Sequence, residues 1–141
     1  MKKKNTIRKF AGICLVAMMA VAGVGKYAKA DTVPLIVRGK DRVFYYLTGV
    51  TEMSKTRGTS YTEEDGSDKC YCSVSATFRW QGSSGEILYS NGNGAGGMHG
   101  ASVSMYYNDD RTAVSSGVGN HMGEAIAGGY EKVTSTGIWK E

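Results

Sequence analysis

The chain has 141 residues, with 17 Lys plus Arg against 13 Asp plus Glu, a net charge of +4 and 41% hydrophobic residues. The positive sign is local: Lys2, Lys3, Lys4, Arg8, Lys9, Lys26 and Lys29 lie in the first 30 residues beside no acid, so residues 31–141 hold ten bases against thirteen acids, a net of −3. That balance leaves no clustered basic face for nucleic acid and no electrostatic motive for adsorption to acidic membranes or teichoic acids.

Residues 1–30 read as a Sec signal peptide. A basic start is followed by Phe10 to Gly25, FAGICLVAMMAVAGVG, which carries no charge, and then by Ala28-Lys29-Ala30. This is the n-region, h-region and A-x-A cleavage site of an exported precursor. The uncharged run is short of the roughly 20 residues that span a bilayer. The expectation is cleavage after Ala30, a secreted mature protein from Asp31, and no membrane span once the signal is removed. No twin arginine precedes the run, and Ile13 before Cys14 does not make a lipoprotein box.

Residues 31–141 are long enough for a single domain with one core. Leu35 to Val37 and Val43 to Val50 are short strand candidates. Thr51 to Lys69, acidic around Glu63-Glu64-Asp65, reads as a polar loop. Cys70 to Gln81 gives the clearest signal. Cys70, Cys72, Val74, Ala76, Phe78 and Trp80 fall on one face, and Tyr71, Ser73, Ser75, Thr77, Arg79 and Gln81 on the other. Strict alternation of this kind makes a strand with one buried face. Gly82-Ser83-Ser84-Gly85 is a turn, and Glu86 to Ser90 should return as a hairpin partner. Ala101 to Tyr107 is a second alternating strand, with Arg111 to Val118 pairing back onto it after a turn at Asn108-Asp109-Asp110. Gly119 to Gly129 is open between a short helical turn and a strand, and Glu131 to Trp139 closes the chain as a strand. Many short strands with tight turns predict an all-β fold, a small antiparallel β-sandwich or small barrel.

Few residues suggest chemistry. Gly92-Asn93-Gly94-Ala95-Gly96-Gly97 matches GxGxxG, but a strand rather than a helix is expected after it, so it reads as a loop and not as a dinucleotide cradle. No cofactor is expected. Cys70 and Cys72 leave a local disulfide, a bridge to a second chain or two core thiols open; the local bridge is the favoured expectation in an oxidising compartment. Metal ligation by these cysteines with His99 and His121 lacks the paired spacing of such sites. No GxSxG or HExxH pattern accompanies the two histidines, so no catalytic residue is assigned. The candidates for ligand contact are Tyr71 and Tyr106, which project from polar strand faces where an amphipathic ring can anchor a partner, together with His99 and His121.

Tyr89-Ser90-Asn91 followed by His99-Gly100-Ala101-Ser102-Val103 resembles the lactococcin 972 bacteriocin family, and Gly137-Ile138-Trp139-Lys140 is similar to that family's Gly-x-Trp stretch. The resemblance spans residues 86–139; residues 31–69 and the Cys70-Tyr71-Cys72 run have no counterpart in it. It implies a secreted, non-catalytic β protein of a Gram-positive-type bacterium, glycine-rich and antimicrobial, that acts on the envelope of competing bacteria. The expected partner is therefore a cell-envelope component or surface ligand. An adhesion or ligand-binding module at the producer's own surface is the alternative, and a small secreted hydrolase the third.

Overall fold

The computed structural model describes residues 27–66 and 69–141. All regular structure in these residues is β. The strands are β1 (Tyr27–Arg38), β2 (Phe44–Met53), β3 (Arg57–Glu64), β4 (Cys70–Gly82), β5 (Ile87–Met98), β6 (Gly100–Tyr106), β7 (Thr112–Ala125) and β8 (Tyr130–Lys140). They form one antiparallel sheet in the order β5-β4-β7-β8-β1-β2-β3-β6, rolled nearly into a barrel. The expected all-β fold is the one observed. The signal-peptide reading falls mostly outside the described residues.

Three local expectations change, and one stretch left open takes the strand form. Residues 51–69 are not a long loop: β2 runs through Met53 and β3 takes Arg57–Glu64. Their inward row of Gly58, Ser60 and Thr62 lacks large apolar side chains, which hid the alternation. The glycine-rich stretch 92–97 is strand, because β5 stays paired with β4 from Ile87 to Met98. Residues after Gly119 continue β7 to Ala125. Finally, β7 does not pair back onto β6. It lies between β4 and β8, while β6 pairs with β3.

Strand β1 is the hinge of the roll. Its first four residues pair with β8, Tyr27↔Lys140 through Ala30↔Gly137. From Asp31 onward it pairs with β2 instead, Asp31↔Thr51 through Arg38↔Phe44. Pro34 therefore falls where β1 has a neighbour on one side only, the position at which a strand tolerates a missing N–H.

The interior divides into three layers. At one end Leu35, Val37, Tyr45, Leu47, Cys70, Cys72 and Ala125 pack together. At the other, Met53, Val74, Ala76, Phe78, Trp80, Val103 and Trp139 do so. Between them lies a buried polar belt of Thr51, Ser60, Thr62, His121 and Ser135. The inward row of β7 explains this belt. It reads Gly117, Gly119, His121, Gly123, so one imidazole stands in a row without other side chains. Opposite it, a Cβ on Gly49 would lie 2.4 Å from His121 Cγ, and one on Gly119 would lie 2.2 Å from Ser60 Oγ and 2.3 Å from Thr51 Oγ1. The ring fits because its neighbours are glycine.

Gly49→Ala is expected to lower stability by about 1–3 kcal/mol, the usual range for forcing atoms into a packed core. Gly94→Ala, whose added Cβ would sit 3.5 Å from its nearest neighbour, should stay within about 0.5 kcal/mol of the parent. Urea unfolding midpoints check the pair; equal midpoints would remove the steric argument.

Candidate functional site

The four residues singled out for ligand contact do not converge. Tyr71 lies on the outer face of β4 and Tyr106 on the outer face of β6, and both are exposed. These strands belong to opposite walls, since β4 neighbours β5 and β7 while β6 neighbours β3. The Arg57 guanidinium stands 5.6 Å from the centre of the Tyr106 ring. His99 sits at the corner where β5 becomes β6, with φ of 72°, and its carbonyl accepts the Glu64 N–H at 2.9 Å. His121 is 1% exposed and belongs to the interior.

The belt around His121 is a continuous chain of hydrogen bonds. Thr62 Oγ1 lies 3.0 Å from the Ser73 carbonyl and 2.9 Å from His121 Nδ1. His121 Nε2 lies 2.7 Å from the Ser135 hydroxyl, which meets Thr51 Oγ1 at 2.6 Å. Thr51 meets Ser60 at 2.9 Å, and Ser60 lies 3.2 Å from the Val50 carbonyl. With a carbonyl acceptor at each end, the protons can run in either direction along the chain. Each buried group has a partner, which is what a low-dielectric interior demands. Burial pushes the imidazole down to about 4, because no acid faces it to hold a proton. A serine beside a histidine invites a nucleophilic reading, but catalysis needs the nucleophile open to substrate and the base oriented by a third group. Ser135 is 1% exposed, and the other ring nitrogen meets a threonine hydroxyl. The arrangement cross-links the two walls of the barrel.

The surface features are open by contrast. A depression of about 580 Å³ lies on the outer face of β5-β4-β7-β8, with Ser73, Ser75, Asn120, Met122, Lys132 and Thr134 around it and Gly94 at its side. Strand parity places these side chains outward, and the glycines of β5 keep that flank low. Thr134 Oγ1 donates to Asn120 Oδ1 at 3.1 Å, which orients the carboxamide with its NH₂ directed away from that bond. Tyr71 leans over Gly96, where a Cβ would meet its hydroxyl at 2.2 Å, so it forms an aromatic rim. Lys132 stands 5.6 Å from the Tyr130 ring centre, and Tyr130 lies on the same rung as Tyr71, with Glu124 between them. A second, shallower depression of about 420 Å³ runs past Tyr61, Glu63, His99 and Ser102. Hydroxyls, an amide, one ammonium and flanking aromatic rings suit a neutral, hydroxyl-rich ligand held by hydrogen bonds and ring contact.

Cys70 and Cys72 are unbridged and buried. This departs from the favoured local disulfide, and strand geometry supplies the reason. Residues i and i+2 of an extended strand stand about 6.6 Å apart with parallel Cβ directions, whereas a disulfide needs its Cβ atoms at roughly 3.8 Å. Burial, reinforced by the Glu64 carboxylate, pushes both thiols up to about 12. Glu64 is tied down by the Lys69 and Cys70 amides, which donate to its carboxylate at 3.2 and 3.3 Å. Among the described residues no group of three or more His, Cys, Asp or Glu is placed to hold a metal ion, and no helix is long and apolar enough to cross a membrane.

Sequence reasoning missed Thr51, Ser60, Thr62 and Ser135. Their parity within strands carries the signal, since each occupies an inward position, but three of them fell in the segment read as loop. Comparison with protein-family models and with curated proteins returns no match.

Two outcomes test these assignments. The unfolded chain has an ordinary histidine near 6.5, so it takes up a proton before the folded protein does. The stability contributed by neutral His121 is complete above pH 6.5 and is lost as pH falls from there towards 4. The loss is on the order of 3 kcal/mol. Urea midpoints at pH 7.5, 5.5 and 4.5 should fall in that order, with an NMR titration of the His121 ring centred near 4. For the cysteines, iodoacetamide at pH 8 should leave the folded protein of residues 31–141, which lacks Cys14, unlabelled and add two labels only in denaturant; rapid labelling of native protein would contradict the buried thiols.

Proposed function

We propose that this chain is a secreted, non-catalytic, bacteriocin-like protein that acts on the envelope of competing bacteria. The observation that carries the reading is where the polar chemistry lies. The one serine–histidine contact described above is buried as a cross-link, while the open polar surface is the rimmed depression over β5-β4-β7-β8. A surface of this kind suits binding and release. Export through the residue 1–30 signal would deliver it outside the cell, and the likeness of residues 86–139 to the lactococcin 972 family supplies the antagonistic direction. The envelope component it contacts would be neutral and rich in hydroxyl groups.

A second reading has its own support. The exposed Tyr71 and Tyr106 stand on opposite walls, and two contact faces suit an adhesive module that joins the producer's surface to a ligand.

The purified secreted protein should inhibit growth of related strains. Tyr71→Ala combined with Asn120→Ala should weaken inhibition at least tenfold with the urea midpoint unchanged, because both side chains are at the surface. Binding of labelled protein to the producer's own cells without inhibition would favour adhesion. Release of soluble envelope fragments would favour hydrolysis, and an unaffected double variant would move the contact away from this face.

A further inference from the structure

The ladder that joins β1 to β8 consists of the pairs Tyr27↔Lys140, Ala28↔Trp139, Lys29↔Ile138 and Ala30↔Gly137. It is the only described ladder between the four strands β5-β4-β7-β8 and the four strands β1-β2-β3-β6. Its residues on β1 are those that the Ala28-Lys29-Ala30 site would remove. Ala28 packs against the core cluster that contains Trp139 and Trp80. On the far side of the scissile bond, Asp31 pairs with Thr51 and its carboxylate accepts the Thr136 hydroxyl at 2.5 Å. Lys29 Nζ stands 3.7 Å from the same carboxylate. The Ala30–Asp31 bond therefore lies inside a strand held by β8 before it and by β2 after it.

We infer that the Ala30–Asp31 processing site is accessible only before the chain folds, and that cutting it changes the architecture from one rolled sheet to two four-stranded sheets. The inference rests on the export reading given above. An endopeptidase must draw an extended segment around the bond into its own cleft. Here that segment already spends its backbone groups on two neighbouring strands. Hydrolysis adds water across the bond, leaving a carboxylate on Ala30 and an ammonium on Asp31. Residues 27–30 then depart with the signal, and the β8 backbone groups that faced them at Gly137–Lys140 lose their partners.

What remains across that seam is side-chain contact. The Thr136–Asp31 hydrogen bond persists, and the His121 belt still ties β7 and β8 to β2 and β3. The processed protein is thus a two-sheet sandwich with a free β8 edge, and the uncut chain folds into a molecule that has no such edge there.

The test uses the full chain, Met1–Glu141, purified uncut and offered to detergent-solubilised signal peptidase either straight from denaturant or after refolding, with intact mass as the readout. Chain taken from denaturant should be cut after Ala30, and refolded chain should be cut at least tenfold more slowly. Equal rates would overturn the inference and leave the export reading standing, whereas no cut after Ala30 in either form would overturn both. Amide hydrogen exchange provides the second measurement. The Gly137–Lys140 amides that face β1 should exchange at least tenfold faster in the secreted protein than in the refolded full chain. Equal protection would overturn the change of architecture.

Discussion

The contact on which the structure depends is the imidazole of His121 lodged between Gly49 and Gly119. The ring forbids a side chain at Gly49, and the Ser60 and Thr51 hydroxyls of its belt forbid one at Gly119, so the belt determines how closely β2 and β7 approach. The ring also requires a hydroxyl at each of its nitrogens, supplied by Thr62 and Ser135. The apolar clusters at the two ends are then kept apart by a polar middle. Such an arrangement gains less from water exclusion than a continuous apolar core would, but a fully satisfied buried network restricts the ways in which two walls can be superposed. Sliding β7 by one residue would turn His121 to solvent and bring Asn120 or Met122 inward.

How legible this was depends on which side chains occupy the inward rows. Cys70 to Trp80 could be read because Phe78, Trp80 and Val74 alternate with serine and threonine, and β4 indeed lies within the sheet between β5 and β7. The first part of β7, to Val118, was legible too, but beyond it Gly119 and Gly123 offer no hydrophobic period and GNHMG resembled a capped turn as much as a strand. β5 beyond Ser90 was obscured in the same way: glycine at alternate positions looks like a flexible connection until a neighbouring strand supplies the ladder. Pairing across long sequence separations, such as β3 with β6 and β8 with β1, leaves little local trace. The site followed the same division. The outward placement of Tyr71 and Tyr106 follows from parity alone, whereas the depression depends on Ser73, Asn120 and Thr134, which share a face only once β4, β7 and β8 are in register.

The two aromatic ends of the molecule differ in character. Tyr89 and Tyr107 stack at 5.0 Å with their planes 9° apart, and each ring also meets Trp80. This cluster joins the edge strand β5 to the segment after β6 and stiffens the open side of the roll. Tyr107 is further fixed by its hydroxyl, which donates to Asp109 at 3.1 Å. Asp109 in turn is held well below the usual carboxylate range by the Arg111 guanidinium and amide. At the other end, the Tyr45 hydroxyl donates to Asp41 at 2.7 Å, and the loss of its proton is correspondingly resisted, up to about 12. Both tyrosines brace turns, whereas Tyr46, Tyr71, Tyr106 and Tyr130 are exposed.

The edge strand β5 bears on the timing of any encounter. It contributes no charged side chain, and the carboxamides of Asn91 and Asn93 accept the Gly92 and Gly94 N–H groups at 2.8 Å. The edge is thereby blunted without the lysines that commonly guard exposed strands. Within that wall β4 adds only Arg79, β7 only Glu124, and β8 Glu131, Lys132 and Lys140, a net of +1. A surface so nearly neutral has little long-range pull on a neutral ligand, and unsteered association runs at roughly 10⁵–10⁶ M⁻¹ s⁻¹. Occupancy then rests on slow departure, and on a target that repeats its recognised unit closely enough for one molecule to rebind before it diffuses away.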